Sequence, residues 1–244
     1  MATAPRSLDR PSYSATRERL FFGGMTITML ITVLAGFGPT YYFSTVSGST
    51  LELTPALHVH GAAFTTWMLL LVVQSTLISA RRVDVHRQLG VAGAVLGVCM
   101  MVLGAYVAIT RFRAGLMVPP PGIPGGVLLA VALATIVVFP TLFGSALALR
   151  RRTDFHKRLI LLATAELITA AVARLPGVAD AGPPGFFALT DLFVVALVVY
   201  DFATRGKIHP ATLWGGLFLI ASQPLRLVIG FSPPWTTFAS WLAS

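Results

Sequence analysis

In a chain of 244 residues, 55% are hydrophobic and 11% are charged, where a water-soluble domain carries roughly 25% charged residues. That shortage of polar surface excludes an ordinary soluble globular domain. The formal charge of +9 would suit nucleic acid in a soluble protein, but the basic residues here sit between apolar runs, so no nucleic-acid partner is expected.

The first 19 residues are polar and dotted with arginine. Seven apolar runs follow, at about 20–43, 57–80, 88–110, 126–149, 158–175, 186–203 and 211–231, on the scale of the roughly 20 residues that cross a bilayer core. The first run is too long for a signal-peptide core, so an uncleaved helix is expected. The predicted fold class is therefore all-α: a polytopic membrane protein of seven transmembrane helices, with 20–231 as its membrane domain. The turn-rich stretches "VSGSTLELTP", "VPPPGIPGG" and "PGVADAGPPG" separate the runs on one side. Arg6, Arg10, Arg17 and Arg19, then Arg81, Arg82 and Arg87, then Arg150, Arg151, Arg152, Lys157 and Arg158, then Arg205 and Lys207 gather on the other. Only Arg111, Arg113 and Arg174 oppose them. The positive-inside rule then places the N-terminus in the cytoplasm, and a bacterial inner membrane is the expected location.

Residues 232–244 are too short to span. Trp235, Phe238 and Trp241 recur at helical spacing, which suits an amphipathic turn in the interface. Gly90, Gly93, Gly97 and Gly104 allow close helix contact, with packing inside the monomer preferred to a dimer seam. Lipid is the expected partner, alongside other membrane subunits or further copies of the chain. The single Cys99 excludes an intrachain disulfide and a Cys-x-x-Cys site.

Two basic links repeat. "RRVDVHRQL" (81–89) aligns with "RRTDFHKRL" (151–159), and "RGKIHPATL" (205–213) keeps the Arg-x-x-x-His frame. One leading helix followed by three hairpins of common direction is inferred, as in proteins built from parallel repeats. His86, His156 and His209 could then converge on a metal ion or supply axial haem ligands. The preferred reading is structural, with Asp84 and Asp154 as helix caps and the histidines in first turns beside Arg and Lys.

Polar groups inside spans are costly and usually face the bundle interior. Glu166, Asp191, Gln223 and Arg226 are such groups, and Arg226 is expected to pair with Asp191. At about 100° per residue, His60, Phe64, Trp67, Leu71 and Gln74 form one stripe. His58 lies about 200° from His60, so the two would not share a ligand on one helix. His60, Gln74, Glu166, Asp191, Gln223 and Arg226 are the candidate ligand-binding set, lining an outward-facing polar site. Their alternative role is a network that locks helices together. His58, His60, His86, His156 and His209 are the metal or haem candidates.

Three functions fit these residues. One is a protein binding a small ligand, a metal ion or haem b, attached to electron transfer. Another is a small-molecule transporter with Glu166 as proton carrier, against which the spans lack paired broken helices, Pro140 and Pro224 being the only kinks expected. The third is a noncatalytic subunit of a membrane complex, since no nucleophile or nucleotide motif is present. The sequence does not decide whether the chain is an enzyme. The run "LHVHGAAFTTWMLLLVVQSTL", the links "DVHRQLG" and "DFHKRL", and the ending "HPATLWGGLFLIASQPLRL" resemble a family of uncharacterised bacterial multi-pass inner-membrane proteins over spans two to seven. The resemblance implies the membrane topology and draws attention to His58, His60, His86, His156, His209, Gln223 and Arg226.

Overall fold

A computed structural model describes residues 13–49, 51–119 and 122–244. Arg6 and Arg10 of the basic set lie outside the described residues. Among those described, the chain is helical with no strand. The long helices are α1 (Tyr13–Phe37), α3 (Pro55–Ser79), α4 (Val83–Arg113), α5 (Gly125–Ala148), α6 (Thr153–Val172), α7 (Gly182–Arg205) and α8 (Pro210–Phe231). The short α2 (Ser44–Ser47) follows α1, and α9 (Pro233–Ala243) closes the chain.

Local chemistry sets the ends. Thr54 caps α3 by accepting from the Leu57 N–H at 3.3 Å, and Pro55 occupies the first helical position, where its missing N–H costs nothing. Gly206 stops α7 in the left-handed region, φ 68°. Beyond α1, Pro39 removes a backbone donor, and the helix widens to a π-turn over Gly38–Tyr42. Asp84 and Asp154 do not cap. Arg82 and Arg152 hold the cap positions without a side-chain bond, and the two aspartates lie in the first helical turn. There they oppose the positive end of the helix dipole.

Among the described residues, six helices are long and apolar enough to cross a membrane: α1 with its π-turn, α3, α4, α5, α7 and α8. The chain is thus built as a multi-pass integral membrane protein. Each of the six touches the next in the order α1, α3, α4, α5, α8, α7. Phe21 of α1 stacks on Tyr200 of α7 with centroids 4.0 Å apart and closes the ring. The outer faces remain apolar, as in α4, where Val91, Val95, Val98 and Val102 form an exposed stripe. Such a surface matches lipid and not water.

α6 is the helix inside the ring. It packs on α1, α5, α7 and α8, and Trp67 of α3 donates to its Thr164 hydroxyl at 3.3 Å. Thirteen of its 20 residues are buried, and it carries Asp154, Lys157, Arg158 and Glu166. A helix shielded by others has no need of a lipid-compatible surface.

Glycines set the closest approaches. A Cβ added to Gly36 would overlap the Ala171 backbone carbonyl of α6. Gly97 faces the Phe143 ring of α5, with a Cβ distance of 2.8 Å, and Gly93 faces Leu70 of α3 at 3.0 Å, so both serve packing within the chain. Gly36→Ala is expected to cost about 1–3 kcal/mol by overpacking, whereas Gly104→Ala meets open space and should cost nothing. Denaturant unfolding of the two variants in detergent checks this; equal midpoints would refute the α1–α6 contact.

Candidate functional site

One buried polar cluster joins three helices. The two terminal nitrogens of Arg226 (α8) donate to the Glu166 carboxylate (α6) at 2.9 and 2.7 Å. Thr135 of α5 donates to the same carboxylate at 2.7 Å, and Arg226 also donates to the Ser222 hydroxyl one turn back, at 2.7 Å. Arg226 is 3% exposed and Glu166 2%. The guanidinium lies 5.6 Å from the Phe187 ring of α7. A planar fork meeting a carboxylate with two bonds is the geometry arginine provides and lysine lacks.

Arg226 therefore pairs with Glu166, not with Asp191 as the sequence suggested. Residues 223 and 226 are about 60° apart around α8. Arg226 reaches inward to α6, while Gln223 turns to α7 and donates to Asp191 at 2.7 Å. One geometric fact stands out in the cluster: the Arg226 Nε is buried and has no hydrogen-bond partner.

A second ion pair lies nearer the basic links. Arg158 of α6, 1% exposed, donates from Nε to Asp201 of α7 at 3.0 Å, and its Nη2 is ion-paired with the same oxygen. The other Asp201 oxygen accepts from the Thr212 hydroxyl at 2.6 Å and from the His209 N–H at 3.0 Å. Asp201 thus ties α6, α7 and the start of α8 together with every lone-pair direction in use. In the sequence Arg158 reads as one more cation of the basic link. Its spacing of four from Asp154 was the available signal, and the Asp154 backbone carbonyl does accept from it at 3.0 Å.

The histidines separate. His209 precedes α8 and caps it, its Nδ1 accepting from the Ala211 N–H at 3.1 Å. Burial holds its imidazole below the ordinary value of 6.5, and the charges of Arg158 and Arg205 push the same way, which keeps the acceptor lone pair available. His86 and His156 instead occupy equivalent first-turn positions, their N–H groups bonding to the Arg82 and Arg152 carbonyls, each at 3.0 Å. The third copy of the link therefore departs from the first two in structure as well as in sequence. The Lys157 ammonium, 2.6 Å from Asp154, holds that carboxyl below the usual carboxylate value.

His60 and His58 point apart, as the helical spacing required. The His60 ring lies 4.4 Å from Phe64, and its Nδ1 is buried without a partner. His58 is exposed beside Tyr41, whose hydroxyl donates to the His58 carbonyl at 3.2 Å. Trp67 and Leu71 of the predicted stripe are buried. Gln74 does not join the Arg226 cluster: its side chain donates to the His86 carbonyl at 3.2 Å, at the end of α3 next to the basic link. Thr135, Ser222 and Thr212 belong to these networks and were missed, because a hydroxyl in a span reads the same whether it bonds its own backbone or another helix.

Among the described residues, no group of three or more His, Cys, Asp or Glu side chains is placed to hold a metal ion. Two clefts flank α9, one of about 390 Å³ against Trp235 and Phe238 and one of about 290 Å³ bounded by Phe112, Val127, Gly230 and Ala239. Comparison with protein-family models, curated proteins and solved structures gave no match.

Arg226→Ala leaves the Glu166 carboxylate buried and unpaired, a change that costs about 3–5 kcal/mol. Adding Glu166→Gln removes the orphaned charge and should recover most of that loss. Unfolding titrations of both proteins in detergent micelles check it; a double variant no more stable than the single would contradict the pairing.

Proposed function

We propose that the chain is a seven-span membrane protein, with α6 as the enclosed crossing, the N-terminus in the cytoplasm and α9 lying in the opposite interface. Its role in this reading is to bind a small polar ligand through Arg226 in the outward half of the bundle. The observation that carries it is the unpartnered Nε of a buried arginine whose two terminal nitrogens bond Glu166 and Ser222. Buried polar groups are ordinarily bonded, so a buried nitrogen left without an acceptor favours a partner from outside the chain. That partner must present an acceptor, which selects a small anion or a neutral molecule with a carbonyl or hydroxyl oxygen.

The 290 Å³ cleft beside α9 touches Gly230, one turn beyond Arg226 on α8, and is not lined by the Arg226 cluster itself. Asp191, Gln223 and Glu166 line the same half of the bundle, and His60 lies at that end of α3. A noncatalytic subunit is the second reading. The fully bonded Arg158–Asp201 pair supports it, since that cluster stiffens the bundle and leaves no group free.

The test is thermal stability of the purified protein against a panel of small carboxylates, inorganic phosphate, amides and polyols. Stabilisation of the wild type by a member of the panel, lost in Arg226→Lys, is expected, because lysine keeps the charge and lacks the Nε donor. A panel that leaves the wild type unmoved favours the subunit reading and overturns this one.

A further inference from the structure

We propose that His86, His156 and Gln74 form a binding site for a first-row transition-metal ion at the basic end of the bundle, independent of the Arg226 site. His156 is the better-defined half. Its Nδ1 lies 2.8 Å from the Ala146 carbonyl oxygen, which can only accept, so Nδ1 carries the proton and Nε2 presents a bare lone pair. A histidine that donates its other ring N–H to a backbone carbonyl is oriented and made more basic, the arrangement characteristic of a metal ligand.

His86 supplies the second donor. Its ring stands perpendicular to that of His156, at 87° with centroids 6.3 Å apart. Two imidazoles sharing one ion, with bonds of about 2.0–2.1 Å, have ring centres about 5 Å apart in a tetrahedral site and about 6.4 Å apart when trans, so the separation observed fits the near-trans arrangement of a tetragonal site. The His86 Nδ1 is buried and has no hydrogen-bond partner. The same is true of the Gln74 Oε1, and the Gln74 amide is held beside His86 by its bond to that residue's carbonyl. The free Nε2 of His156 and the unpartnered His86 Nδ1 and Gln74 Oε1 thus belong to neighbouring residues of α6, α4 and α3. The last two are buried atoms, which normally find a partner.

The donor set chooses the ion. Two imidazole nitrogens and one amide oxygen suit copper, nickel or zinc better than magnesium or calcium, and Cu(II) should bind tightest. Water completes the coordination. Neighbouring charge sets an upper limit on affinity, because Arg82, Arg87 and Arg152 surround the two first turns. Arg82 is drawn toward Asp84 at 3.5 Å and Arg152 toward the Phe155 ring at 5.9 Å, which lessens the opposition. Bound metal would cross-link the link between α3 and α4 to that between α5 and α6.

The experiment takes full-length protein in detergent, stripped by chelator, and titrates it with Cu(II), Zn(II) and Ni(II). One ion per chain is expected, with Cu(II) the tightest, and its electron paramagnetic resonance spectrum split by two nitrogen nuclei. His86→Gln and His156→Gln should each weaken Cu(II) binding about tenfold or more, with His58→Gln unchanged. The wild-type spectrum is read without any variant, so a misfolded variant does not obscure the answer. Coupling to fewer than two nitrogens, no binding at micromolar Cu(II), or unchanged affinity in a folded His86→Gln/His156→Gln double variant would each overturn the proposal. None of these outcomes bears on the Arg226 site, whose ligand panel contains no metal.

Discussion

A charged side chain at the centre of a membrane helix costs about 2.5–3.5 kcal/mol even on the mildest scale, and α6 carries Arg158 and Glu166, both almost wholly buried. The bundle resolves this by giving each a partner on a neighbouring helix. Glu166 meets Arg226 of α8, and Arg158 meets Asp201 of α7. Because the pairs sit at two depths along one helix, they fix its rotation as well as its position. The six apolar helices are then free to be plain. They form a wall, and their outer faces need only match lipid.

This arrangement explains why the least apolar helix is the most enclosed. Hydropathy along α6 is interrupted by four charges, so it is not apolar enough to face lipid as the other six are. α6 is solvated by protein instead: by Ala171 against Gly36, by Leu162 and Leu159 against Gly215, and by the two ion pairs. Small residues bring the neighbouring backbones close, and close backbones exclude the water and lipid that the charges would otherwise meet.

Much of this was legible from the chain alone. Apolar run length gave helices close to those observed, and the inward stripe of α3 followed from a period of 3.6. Glu166, Gln223 and Arg226 stood out because ionisable and amide groups in spans are rare. What did not follow was which group meets which. Pairing depends on helix neighbours and on rotation about each axis, and residues 191 and 226 share a depth without sharing a partner. Gln74 was misplaced for a related reason: distance along a span says how deep a residue lies, and a long glutamine near a helix end reaches the next link. The shared Arg-x-x-x-His frame concealed a difference of one residue type, since Pro210 starts α8 directly after His209 and turns that histidine into a cap. The unpartnered atoms of Arg226, His86 and Gln74 leave no trace in the sequence at all.

The claim on which the rest depends is that α6 crosses the bilayer inside the ring of six. The most direct measurement is cysteine accessibility at its two ends, in a Cys99→Ser background, with a membrane-impermeant maleimide on sealed right-side-out vesicles. Asp180→Cys, in the link that follows α6, should react on intact vesicles, and Arg151→Cys, just before it, only after permeabilisation; both positions are exposed. Reaction of both from the same side would mean that α6 does not cross, and that its ion pairs hold together a different topology.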